Sequence, residues 1–147
     1  MKIYQSKKIF KKFNNRDLKN NLFKFYKIYK TRPIKNNSGG ILFSKMFAFY
    51  YLLKKINPKF VIESGVYRGQ TSWLIVKTLP NSKILSIDID LTKRVYKSKK
   101  IKYSNIDFKH HNFSNLPSNT LAFFDDHQNH IHRLMECKRA GIKNIIF

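Results

Sequence analysis

Acidic residues are scarce in this chain. Its 147 residues hold 8 Asp and Glu against 30 Lys and Arg, a formal net charge of +22. A single cysteine, Cys137, excludes an intramolecular disulfide and fits a reducing compartment. The longest apolar stretch, Gly40 to Leu53, is interrupted by Lys45 and is too short to span a bilayer. Met1 to Phe13 is basic but has no uninterrupted apolar core of the kind a secretory signal needs. These absences place the chain in the cytoplasm. Hydrophobic residues still make up 42% of it, enough for a folded core in one domain of this length.

The excess of positive charge invites a nucleic-acid reading. Two observations weigh against it. Lys, Asn, Ile, Phe and Tyr are abundant together, as an A/T-biased coding sequence would produce unaided. Lysine also far outnumbers arginine, whereas bidentate recognition of phosphate and guanine favours arginine. A dedicated nucleic-acid partner is therefore not favoured.

Scarcity makes each remaining acid informative. Glu63, Asp88, Asp90, Asp125 and Asp126 all fall at the carboxyl ends of expected strands. A chain that has shed nearly every optional carboxylate has kept these where parallel sheets bind ligands.

The best-patterned stretch is Lys59 to Asp90. Phe60, Val61 and Ile62 form an unalternated apolar run, as in a strand covered on both faces. Glu63-Ser64-Gly65-Val66-Tyr67-Arg68-Gly69 is a turn, and a mostly apolar helix runs from Gln70 to Leu79 before Pro80-Asn81 stops it. Ile84 to Ile87 is a second buried strand, closed by Asp88. Such a βαβ unit gathers the turn, the helix N-terminus and the second strand end around one crevice. Phosphate-cradling motifs do not fit. With Gly65 as the first glycine of G-x-G-x-x-G, the second and third positions hold Tyr67 and Gln70, and no Lys follows Gly69 to make a P-loop.

At these residues the sequence resembles class I S-adenosylmethionine-dependent methyltransferases. E-S-G-V-Y-R-G-Q-T looks like their first motif and S-I-D-I-D like the motif of the second strand. The resemblance implies that Glu63, Ser64, Gly65, Tyr67, Arg68 and Gly69 lie along the methionine part of the cofactor. It also implies that Asp88 accepts hydrogen bonds from both ribose hydroxyls and that Asn112 contacts the adenine. A carboxylate has the lone pairs for two hydroxyls, and a helix N-terminus beside Arg68 suits a carboxylate.

Thr120 to Phe124 reads as a fourth buried strand running into Asp125-Asp126-His127-Gln128. F-F-D-D-H-Q resembles the corresponding segment of sugar O-methyltransferases of the macrocin and cephalosporin-hydroxylase-like group, some of which bind Mg²⁺. The resemblance makes Asp125 and Asp126 candidate metal ligands and, with His127, candidate catalytic residues. Hard carboxylate oxygens suit Mg²⁺, and the imidazole suits a general base near neutrality. The plainer alternative is that Asp126 caps the next helix.

Around this core the expectations are as follows. Met1 to Asn15 is a basic arm with frayed helical character. Arg16 to Tyr29 is a basic amphipathic helix, suited to packing on its own domain or to lying on an anionic membrane surface. A loop at Asn36 to Gly40 leads to a nearly all-apolar helix from Ile41 to Lys55. After Asp90, a short helix is expected over Leu91 to Ser98, then a strand over Ile101 to Phe108. Adjacent His110 and His111 would point opposite ways in an extended segment, toward solvent rather than to one metal. A helix over Asn129 to Arg139 is expected to face inward with Ile131, Leu134, Met135 and Lys138, and Cys137 reads as a small helical residue. Lys143 to Phe147 opens a fifth strand.

The fold class expected is α/β: a Rossmann-like three-layer sandwich with a mostly parallel sheet of about five strands, behind basic N-terminal helices. Residues 1–40 would form the basic arm and linker, and 41–147 a partial methyltransferase domain, cut short after the fifth strand with an apolar edge exposed. The expected function is S-adenosylmethionine-dependent methyl transfer to a hydroxyl of a sugar or small metabolite. The alternatives are a non-catalytic basic module binding RNA or an anionic surface, or an RNA-directed methyltransferase.

Overall fold

The computed structural model describes residues 2–4 and 15–147, the first three by their main chain. Six strands form one sheet: β1 (Lys2–Tyr4), β2 (Phe60–Ser64), β3 (Lys83–Ile87), β4 (Ile101–Ser104), β5 (Thr120–Phe124) and β6 (Asn144–Ile146). Their order is β1-β6-β5-β2-β3-β4 and every pairing is parallel. The fold class is as expected, with one strand more. β1 pairs with β6, so the apolar fifth strand of the sequence reading is an inner strand rather than an edge. The helical character expected for the arm falls largely on residues outside those described, whereas Lys2–Tyr4 is extended.

Among the described residues four α-helices cover the sheet: α1 (Asn15–Lys30), α2 (Phe43–Ile56), α3 (Gln70–Thr78) and α4 (His130–Arg139). The central strands are apolar toward both layers, which explains why their sequences run unalternated. One face buries Val61, Ile84, Leu121, Phe123 and Ile146 against α2 and α3, with Phe25 of α1 packed outside them. The other buries Ile62, Leu85, Ile87, Ala122, Phe124 and Ile145 with Cys137 of α4. α2 is held from outside by Asp17 of α1, which accepts from Tyr51 at 2.5 Å and pairs with Lys55 at 2.9 Å. Asn57, in the left-handed region at φ 45°, stops α2 and delivers the chain through Pro58 into β2.

Three local expectations are corrected. Residues 91–98 form turns and extended chain instead of a helix. Asp90 accepts from the Thr92 N–H, and Val95 and Tyr96 both donate N–H to the Arg68 carbonyl, so the bonds a helix would need are used elsewhere. The strand at Ile101 stops at Ser104, whose hydroxyl accepts from Ile106 N–H. Asp107 then caps a 3₁₀ turn, Phe108–His110. Finally, α4 is rotated from its expected face: Ile131 and Met135 are exposed, while Arg133 and Cys137 are buried. Apolar periodicity misjudged this helix because its innermost side chain is a charged one drawn in by carboxylates.

Candidate functional site

The sheet order reverses between β2 and β5, and the carboxyl ends of β2, β3 and β5 meet at that switch point. Two main-chain bonds fasten the strand ends. Gly65 N–H donates to the Ile87 carbonyl at 2.9 Å, and Asp125 N–H to the Ser64 carbonyl at 2.8 Å. Gly65 has φ 99°, and a Cβ there would stand 2.5 Å from the Asp125 carbonyl oxygen. Only glycine allows both the conformation and the approach.

The turn then passes over Asp88. Val66 and Tyr67 N–H each donate to Asp88 Oδ2 at 2.8 Å, and Asp90 N–H donates to Oδ1 at 2.9 Å. Tyr67 has φ 47°, and its hydroxyl donates to the Ser38 carbonyl at 3.3 Å. Arg68 donates to the Asn36 carbonyl at 2.6 Å. The loop before α2 is thereby laced to the glycine turn. Gly69 caps α3, whose first residues Gln70 and Thr71 face the space enclosed.

That space is a cleft of about 450 Å³. The turn forms one wall and the loop at Gly39 to Ile41 a second. Asp88, Ile89 and Asp90 line the β3 side, and Asp125, Asp126, His127 and Gln128 the β5 side. Ser64, Gly65, Tyr67, Arg68, Asp88, Asp125, Asp126 and His127, all singled out from sequence, come together here. Gly69 sits at the base of the turn, its Cβ position 3.0 Å from the Tyr96 carbonyl oxygen.

Three of the residues singled out do not line the cleft: Gly69, Glu63 and Asn112. Glu63 points into the layer between β2 and α3, fully buried, accepting from Ser72 and Ser86 hydroxyls at 2.6 Å each. Its other oxygen has no partner among the described residues, and burial pushes its carboxyl up to about 7 despite the two hydroxyls. Asn112 lies beyond the 3₁₀ turn on an outer depression, where its Oδ1 accepts from Ser114 N–H. Asp107, five residues earlier, lines the cleft instead. His110 and His111 also lie on that outer side, His111 stacked on Phe113.

Asp125 and Asp126 are neighbours with opposite surroundings. Asp126 turns inward: Oδ2 accepts from Ser64 at 2.6 Å and from Arg133 Nε at 3.0 Å, and Oδ1 from Gln128 N–H. Arg133 is buried and also binds Asp107 through two nitrogens, at 3.1 and 2.8 Å, and Glu136 at 2.8 Å. These carboxylates hold the guanidinium's pKa above its ordinary value, and Arg133 holds Asp107 down to about 2. Asp126 is thus a framework residue, its oxygens already shared among three donors. The Asp125 carboxylate has no hydrogen bond or ion pair among the described residues and opens onto the cleft. Partial burial raises its pKa, the charges of His127 and Lys45 oppose the rise, and Asp126 adds to it. His127, in the left-handed region at φ 57°, stands beside it on the cleft wall.

Sequence reasoning missed Arg133 and the functional place of Asp107. A signal for both was present in the acid count, since Asp107 and Glu136 were left without a use.

The cleft carries five carboxylates (Asp88, Asp90, Asp107, Asp125, Asp126) against three permanent cations (Arg68, Lys93, Arg133). It is an acidic recess in a protein of net charge +22. Among the described residues no group of three or more His, Cys, Asp or Glu is arranged to hold a metal. No helix of them is long and apolar enough to cross a membrane.

Together these features define a Rossmann-like α/β fold with a ligand cleft at the carboxyl ends of its central strands. Among solved structures the fold is shared with CmcI. The chain matches CmcI with SAH at TM-score 0.56 and 16% identity over 77% of its length and 63% of that chain. It matches ligand-free CmcI at 0.55 and 15%, over 69% and 48%. CmcI with Mg and SAM matches at 0.51 and 17%, over 65% and 46%. The chain therefore spans about half the length of the structures it resembles. No protein-family model matches it, and no curated protein matches its sequence.

Proposed function

We propose that the cleft binds S-adenosylmethionine and that the protein serves methyl transfer to a hydroxyl of a sugar or small metabolite. The observation that carries this reading is the acidic recess inside a strongly basic protein, with one carboxylate, Asp125, that no described residue engages. A cleft with an excess of one sign of charge favours the opposite sign. The ligand favoured is a cation small enough for about 450 Å³, and a sulfonium with an ammonium group meets that demand.

The residues present fit the cofactor. The glycine turn brings main chain against the cleft with no side chain at Gly65, and the N-terminus of α3 at Gln70 and Thr71 offers N–H groups to a carboxylate. Asp88 already accepts three main-chain N–H bonds, which leaves about one lone-pair direction for a ribose hydroxyl rather than two. When bound, S-adenosylmethionine supplies an electrophilic methyl group. The chain's part is to orient the acceptor in line with that methyl and to take the hydroxyl proton. Asp125, with its raised pKa, and His127 beside it are the groups placed to do so. Asp125 is also the carboxylate available to Mg²⁺, which usually takes one or two carboxylates and completes its shell with substrate and water. Asp126 is committed to Arg133. The likeness to CmcI, which has been solved with SAM and with SAH, supports the reading at the level of fold.

Calorimetric titration of the chain with S-adenosylmethionine and with S-adenosylhomocysteine tests it. Both should bind, and Asp88→Ala should abolish both by freeing the turn. Asp125→Asn should weaken the sulfonium form several-fold while leaving the neutral one nearly unchanged. Failure of the folded wild-type chain to bind either ligand would refute the proposal.

A further inference from the structure

α1 has two apolar faces, and the domain uses one. Phe25 is fully buried, its ring within 5.2–5.6 Å of Tyr29, Phe43, Phe47 and Tyr50. Ile28 and Tyr29 pack against the same cluster. Those three residues account for docking the helix on α2. Leu22, Phe23 and Tyr26 remain 40%, 60% and 48% exposed. At about 100° per residue, they cover roughly 100° of the outer surface. Lys19 and Lys30 fall within that span and Lys27 just beyond it; Lys24 is also exposed. Lys30 Nζ lies 4.8 Å from the centre of the Tyr26 ring. The helix's one acid, Asp17, is already paired with Lys55.

We infer that this outer stripe docks the protein on an anionic lipid surface. The charge pattern selects that occupant. A second copy of the same helix would bring lysines against lysines, and RNA, which could stack on Phe23 and Tyr26, gains nothing from the aliphatic Leu22 at the stripe's edge. An anionic bilayer offers an apolar layer for Leu22, Phe23 and the Tyr26 ring, and headgroups for the lysines extending outward from them. The residues preceding the helix in sequence, KKIFKKF at 7–13, repeat the same alternation of lysine and large apolar side chains. Ile41, at the rim of the cleft, and exposed Leu42 lead directly into α2, on which α1 packs.

Co-sedimentation of the full chain with vesicles tests this. Vesicles of phosphatidylcholine alone are compared with vesicles holding one quarter phosphatidylglycerol, at low and high salt. Wild type should bind the anionic vesicles and leave the neutral ones largely unbound. Phe23→Ser with Tyr26→Ser should lower binding by tenfold or more, and Lys19→Gln with Lys27→Gln by roughly twenty-fold. All four positions are exposed, so an unchanged melting temperature certifies the fold of each variant. Three results would overturn the inference: no binding to anionic vesicles, vesicle binding by the Phe23/Tyr26 variant equal to wild type, or a wild-type dimer that this variant dissolves without any vesicle binding.

Discussion

Glu63 allows a quantitative test of how the glycine turn is supported. Its carboxyl is fully buried, with an ordinary value of 4.5 raised to about 7 in the folded protein. The sign follows from proton uptake: between these values the folded chain holds a proton that the unfolded chain has released. The stabilisation is therefore fully present below pH 4.5 and is lost as pH rises through about 7. Linkage gives a loss of about 2.5 kcal/mol between pH 5 and 8.5 from this group. Glu63→Gln removes the titration. The glutamine oxygen still accepts from Ser72 and Ser86, but its amide takes the place of the oxygen that has no partner, at about 1–3 kcal/mol. The variant should accordingly be less stable than wild type at pH 5 and close to it at pH 8.5. Urea unfolding at several pH values, read as the difference between the two proteins, cancels the other titrating groups. A difference that stays constant from pH 5 to 8.5 would refute the assignment of a protonated, buried Glu63.

Two further predictions concern the frame of the cleft. Gly65→Ala combines an unfavourable φ of 99° with a Cβ 2.5 Å from the Asp125 carbonyl oxygen. It should cost about 3 kcal/mol or more and remove cofactor binding even where the protein still folds, as unfolding and calorimetry would show. Arg133→Met removes the partner of Asp107, Asp126 and Glu136 and should destabilise by about 3–5 kcal/mol at neutral pH. The part due to Asp107, whose pKa Arg133 holds down to about 2, should be fully present at pH 7 and lost as pH falls through about 2, which denaturation at pH 7 against pH 2 would detect.

The layers were legible where one physical cause dominated. Thr120–Phe124 is a strand in sequence and in structure because an unbroken apolar run of that length has few other places to go. The glycine turn was legible because its shape needs residues without side chains at particular places. Residues 91–98 were misjudged because Asp90 and the Arg68 carbonyl, remote from any periodicity, take the N–H groups a helix would use. α4 was turned the wrong way because Arg133 is the residue its core wants, and charge ordinarily argues for solvent. The acids show the reverse case. Seven of the eight have a hydrogen-bonding or ionic partner. Sequence alone could not say that the eighth, Asp125, was the one without such a partner among the described residues.

The 2.8 Å bond from Asp125 N–H to the Ser64 carbonyl, which carries the β2–β5 pairing one step past the strands, has a mechanical consequence. The turn that would grip a methyl donor and the loop that would accept a proton are tied main chain to main chain at that point, so separating them means opening the end of the sheet. Relative motion in the cleft is left to its second wall, the loop around Gly39 and Gly40, which touches the turn through single side chains of Tyr67 and Arg68. A change of acceptor is therefore accommodated most cheaply in that loop, where chain length and sequence can vary while the reacting groups keep their spacing.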